Sequence, residues 1–181
     1  MNKLPISVFA VTFALLSVSC NQNENKTEQE EVEISENETV PEPMQAPEIA
    51  FNDQDHSALW TDYLDLKTAL VETNADNAKI AANQLSADLE KLDNESLKTL
   101  ATTISNSQDI EEQRKAFSEL SASMENVLKT SMSDGQIYKQ FCPMAFDNKG
   151  GYWLSDSEEI RNPYFGSKML KCGKVTETIE K

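Results

Sequence analysis

The sequence predicts a mainly α protein: an antiparallel four-helix up-and-down bundle followed by a small β-hairpin/short-helix C-terminal module. Three observations carry the prediction. Apolar residues recur at helical spacing in four consecutive stretches between Asp53 and Leu128. No glycine or proline occurs between Pro47 and Gly135, so only short polar caps punctuate those stretches. After Gly135 the chain becomes aromatic and glycine-rich, a composition suited to strands and tight turns.

The first twenty residues read as a targeting segment. Lys3 supplies the positive start, and no charge follows between Leu4 and Cys20. The apolar run ISVFAVTFALLSV has signal-peptide length and is short for a membrane span. It ends in LLSVSC, which resembles a bacterial lipoprotein signal, with Ser17 where leucine is usual and Cys20 as the lipidated residue. That signal implies a cell-envelope protein, lipid-anchored and facing the periplasm. The alternatives are ordinary cleavage that leaves Cys20 as a free thiol, or an uncleaved anchor.

Residues 21–50 hold nine Glu and one Lys, a net charge of −8, together with Pro41, Pro43 and Pro47. Too few apolar residues are present to offset the ordering entropy, so this stretch is expected to be a disordered acidic linker. Residues 51–134 are then the bundle and residues 135–181 the C-terminal module packed on it.

In the first helix Leu59, Tyr63, Leu66 and Leu70 form one stripe, widened by Trp60, Leu64 and Val71. Asn74 or Asp76 caps the second, which carries Ala78, Ala82, Leu85, Leu89 and Leu92. The third follows Asp93-Asn94 with Leu97, Leu100, Ala101 and Ile104, and Ser105-Asn106-Ser107 ends it. The fourth begins near Asp109 and presents Ile110, Phe117, Leu120, Met124 and Val127 or Leu128. Short connections make sequential helices antiparallel neighbours.

Beyond Gly135, the stretch from Gln136 to Phe146 reads as a strand, Asp147-Asn148-Lys149-Gly150-Gly151 as a turn and Tyr152-Trp153-Leu154 as the returning strand. An Asn162-Pro163 break follows, then a short helical turn over Ser167–Cys172 closed by Gly173. The tail KVTETIEK is either an edge strand or a frayed end.

Charge and motif content exclude several functions. A net charge of −15 repels nucleic acid. There is no phosphate-binding glycine loop, no HExxH, and a single histidine, His56, so nothing points to an enzyme. Cys142 has no second cysteine at CxxC spacing, which speaks against a thiol oxidoreductase.

The sulfur atoms are the candidate chemistry. Cys142 and Met144 would share one face of an extended strand, and Met169 and Cys172 one face of a helical turn. Converging, the four would offer two thiols and two thioethers, a soft set that selects Cu(I) or Ag(I). Alternatively, Cys142 and Cys172 form a disulfide, which an exported location favours. Both readings stand at this point. Under the second, Trp153, Arg161, Asn162, Pro163, Tyr164 and Phe165 supply aromatic and arginine anchors for a partner.

The strings YLDLKTALVETNADNAKIAANQL, QRKAFSELSASM, YKQFCPMAF and GGYWLSDSEEIRNPYFGSKMLKCG resemble a bacterial envelope family of unknown function. Its members occur as stand-alone lipoproteins and as extensions of periplasmic adaptor subunits of heavy-metal efflux pumps. The resemblance runs from about Ser57 to Thr178. It implies a helical domain followed by the Cys-Pro-Met segment, a link to copper or silver handling, and heavy-metal efflux components as partners. The Cys-Pro-Met string is similar to the Cys-Pro-Met-His-Pro metal-binding segments of copper exporters. Here Ala145-Phe146 replaces His-Pro, which removes a ligand.

Overall fold

The computed structural model describes residues 49–181. Cys20 and the acidic linker up to residue 48 lie outside the described residues. The structure is mainly helical, with four long helices and a small C-terminal sheet: β1 (Ala50–Phe51), α1 (Gln54–Val71), α2 (Ala75–Lys91), α3 (Glu95–Asn106), α4 (Ile110–Ser131), β2 (Met132–Asp134), β3 (Gln136–Cys142), β4 (Gly151–Ser155) and β5 (Lys174–Glu180). Among the described residues no helix is long and apolar enough to cross a membrane.

Each long helix starts at a side-chain cap. Asp53, Asn74, Asn94 and Asp109 accept from the amides of His56, Asn77, Leu97 and Glu111 at 2.9, 3.0, 3.2 and 2.8 Å. The first two helical turns-about share one device. Thr73 (φ 59°) and Asp93 (φ 52°) take the left-handed conformation that closes a helix, and the next residue, an asparagine, caps the following one. Three residues thus reverse the chain. Each helix packs on its successor, and α4 also meets α1 and α2.

The apolar stripes form the core, with Leu59, Tyr63, Leu66, Leu70, Leu85, Leu89, Phe117, Leu120 and Met124 all buried. Among the buried polar residues of the helices, three have long side chains. Gln113, fully buried on α4, donates to the carbonyls of Ala75, Ile104 and Ser107, tying three helix ends together. Lys67, buried on α1, donates to Ser155 Oγ at 3.0 Å and Asp156 Oδ1 at 3.2 Å just beyond β4. Burial lowers its pKa, and Asp156 opposes that shift. Arg114 is the third and is described with the site.

The sheet has strand order β4-β3-β5, all antiparallel. The predicted hairpin is β3–β4, and the tail forms the edge strand β5. A second pairing, β1 with β2, has no counterpart in the sequence reading; its strands are too short to show a period. The sheet is tied to α4 by the 2.7 Å ion pair of Lys139 with Glu125. The outer edge of β4 is closed by two phenols. Tyr63 Oη accepts from Leu154 N at 3.0 Å, and Tyr164 Oη donates to Tyr152 O. An edge whose backbone groups are satisfied does not recruit another strand.

One ionisable pair sets a pH dependence. Asp62 on α1 meets Asp88 on α2, whose carboxylate accepts from Lys91 Nζ at 2.6 Å. Burial, a hydrogen bond with Asp88 and the negative charges of Asp88 and Asp65 push Asp62 up to about 6, with Lys91 opposing. The folded state therefore holds this proton more tightly than the unfolded chain, and stability falls as pH rises from about 4 to about 6. Asp62→Asn is expected to gain about 1 kcal/mol above pH 6, after allowance for solvent screening. The gain should vanish near pH 4, and urea melts at both pH values check it.

Candidate functional site

The C-terminal module is built on β3, whose Tyr138, Gln140 and Cys142 share one buried face. Opposite them on β4 stand Ser155, Trp153 and Gly151. Gln140 is fully buried and donates to the carbonyls of Ser157 and Glu159, drawing the segment after β4 back over the sheet. That segment then passes through Asn162-Pro163-Tyr164-Phe165 and the 3-10 turn Gly166–Lys168 to Cys172.

Two buried side chains hold this return. Asn162 donates to Cys172 O at 2.8 Å and accepts from the amides of Tyr164 and Phe165 at 2.8 and 3.3 Å. Arg114 donates Nε to Pro163 O at 2.8 Å, Nη1 to Glu111 at 2.7 Å, and Nη2 to Leu70 O and Thr73 Oγ1 at 3.2 and 3.1 Å. One guanidinium thereby joins α1, α4 and the return segment. Gly166 (φ 55°) sits against this clamp, where a Cβ would strike Thr73 Oγ1 and lie 2.8 Å from Val71 O.

Cys142 and Cys172 come together. Both thiols are free, with their sulfurs 3.0 Å apart. Cys142 is fully buried; Cys172 is half-exposed. The hydrogen bond with Cys142, desolvation and the neighbouring sulfur push Cys172 up to about 11, so its thiolate is scarce near neutral pH.

Two expectations about this site are corrected. Met144 does not share the strand face of Cys142. β3 ends at Cys142 because Pro143 lacks an N–H for the ladder, and Met144 turns into a helical conformation with 47% of its surface exposed. Nor are Trp153, Asn162, Pro163 and Tyr164 surface anchors. Trp153 points inward by strand alternation and meets Tyr164 edge-on at 5.7 Å, Asn162 is spent on backbone partners, and Pro163 is buried beneath Arg114. Arg161 is exposed and Phe165 half-buried. Met169 is also half-buried, and its carbonyl accepts from Cys172 N at 2.9 Å in a tight turn; the expected short helical turn is present as the 3-10 turn Gly166–Lys168 and ends before Cys172. His56 is bound to Asp53, with Nδ1 2.8 Å from Oδ1.

Between β3 and β4 lies a strained turn. Phe146 (φ 51°, ψ 58°), Asp147 (φ 57°, ψ 44°) and Asn148 (φ 64°) are three successive left-handed residues without a glycine. The conformation costs Phe146 roughly 1–2 kcal/mol, whereas Asp147 and Asn148 adopt it more readily. The turn presses Phe146 edge-on against Tyr164 at 5.0 Å. Two clefts flank that ring, one of 510 Å³ lined by Met144, Phe165, Glu111 and Lys115, the other of 420 Å³ lined by Ser118, Glu119 and Lys149.

Among the described residues no group of three or more His, Cys, Asp and Glu is arranged to hold a metal ion. No curated protein and no solved structure matches the chain. Residues 59–135, from within α1 to the glycine after β2, match the family described as a protein of unknown function (DUF3347), a match that covers the helices and stops before the sulfur-bearing module.

Proposed function

We propose that this chain is a lipid-anchored protein of the bacterial cell envelope that works by binding and not by catalysis. Cys20 is its lipidation site, residues 21–50 its tether, and a four-helix up-and-down bundle its body. The C-terminal module, stapled by a Cys142–Cys172 disulfide, is its docking face for an efflux or envelope partner.

The observation that carries the staple is the 3.0 Å approach of the two sulfurs while Met144 turns away. Two sulfurs on opposite sides of one ion, each at about 2.3 Å, stand farther apart than that. The position of the clefts supports the docking role. The tether enters at β1, which pairs with β2 at the C-terminal end of α4, whereas Glu111 and Lys115 line the cleft at its N-terminal end. Sixteen helical residues separate Lys115 from Ser131, about 24 Å at 1.5 Å each. The exposed Met144 and the clefts thus lie along the N-terminal half of α4, and β1 at its other end.

A second reading rests on the same pair: on separating slightly, the two thiols would take Cu(I) or Ag(I) as a two-thiolate site, with Met169, three residues before Cys172, as a further donor. Peptide mapping of protein purified without reductant separates the two. The expected result is a crosslinked peptide pair containing Cys142 and Cys172, with no metal bound. Two cysteines free of any crosslink, with one tightly held Cu(I) per chain, would overturn the staple and establish the metal site.

A further inference from the structure

The two thiols differ in one respect that matters for how a bond between them is made. Cys172 is half-exposed at the rim of the module, in a turn held by Asn162 and its own contact to Met169. Cys142 is fully buried at the end of β3, and its sulfur is reached by Cys172 at 3.0 Å. Of the two residues, only Cys172 has surface open to a bulky disulfide donor.

We propose that Cys172 is the entry thiol and Cys142 the resolving thiol in an exchange with a disulfide-bearing donor. This inference rests on the staple reading. Cys172 first gives up the proton that it holds near neutral pH, then attacks one sulfur of the donor R–S–S–R, forming a Cys172–S–S–R mixed disulfide and releasing RS⁻. Cys142 then loses its proton, attacks the Cys172 sulfur and releases the second RS⁻. The protein dithiol loses two electrons and two protons, and the donor disulfide is reduced to two thiols. Because the resolving sulfur already stands in contact, the mixed disulfide is short-lived. The entry position also fixes the direction of reversal: a reductant reaches the Cys172 side of the bond first.

The test uses the reduced full-length protein and dithiobis-nitrobenzoate as the donor, with adducts located by peptide mapping so that Cys20 is counted separately. Wild type is expected to release two equivalents of thionitrobenzoate from this pair and to end crosslinked, without an adduct. Cys142→Ala should release one and keep the adduct on Cys172. In Cys172→Ala, labelling of Cys142 should be at least tenfold slower until denaturant is added. Samples of wild type quenched early serve where a variant folds poorly, and any transient adduct should map to Cys172. Equal labelling of Cys142 in Cys172→Ala, or an early wild-type adduct on Cys142, overturns the order of attack while leaving the staple intact. Wild type that retains two adducts and no crosslink overturns the staple reading itself.

Discussion

Arg114→Met is expected to destabilise the protein by about 1–3 kcal/mol, the cost of leaving a buried acceptor unpaired. The guanidinium is buried and places donors on Pro163 O, Leu70 O, Thr73 Oγ1 and Glu111 at once. Methionine fills similar volume but leaves Pro163 O without a partner, while Leu70 O keeps the amide of Thr73. The loss of the Glu111 pair adds little, because Glu111 is largely exposed. Arg114→Lys should rescue less than half, since one ammonium cannot reach acceptors arranged around a planar fork. Urea melts give the magnitude. Amide exchange gives the location, and the segment from Arg161 to Lys168 should open ahead of the helices. A loss below 1 kcal/mol would mean that the return segment is held by Asn162 and Gln140 alone.

The helices were legible because each stripe has one period and each start has one cap. Asp53, Asn74, Asn94 and Asp109 precede apolar runs at the spacing that a cap requires, and the structure uses all four. The hairpin was legible from its aromatic runs and the Asp147–Gly151 turn. What escaped the reading has a common cause. Lys67, Gln113 and Arg114 sit on the apolar stripes, four residues after Tyr63, four before Phe117 and three before Phe117. A polar residue in such a stripe signals a partner arriving from another element, and the sequence does not say which.

The sulfur site was half legible. Spacing alone could pair Cys142 with Met144, because alternation assumes that the strand continues. Pro143 stops the ladder, and the left-handed residues from Phe146 to Asn148 re-aim the chain. No local pattern announces three successive left-handed residues of which one is phenylalanine. The misplaced anchors fail for a related reason. Aromatic residues suit an interface and a core equally, and only the return of the chain over β3 decides that Trp153 and Tyr164 are interior. In a module of this size those rings are the core, and the surface left for a partner is Tyr152, Met144, Arg161 and the walls of the two clefts.

Closing the Cys142–Cys172 bond is expected to raise stability by about 3–4 kcal/mol in the chain-entropy model for a loop of roughly thirty residues. The comparison is between oxidised and reduced wild type in urea, with the midpoint rising and the slope falling slightly as the unfolded chain becomes more compact. Cys172→Ser should match the reduced protein within about 0.5 kcal/mol, because Cys172 is half-exposed and its hydroxyl can be hydrated. Cys142→Ser should be less stable still, since it buries a hydroxyl where Cys142 is sealed from water. The asymmetry separates the bond from the packing of each thiol. It also separates the two functional readings. If the pair is a staple, silver or copper added to the reduced protein leaves the midpoint where it is, whereas a metal site raises the midpoint with ion concentration by mass action. A metal-dependent rise that survives in Met169→Leu would further assign the binding to the two thiolates alone.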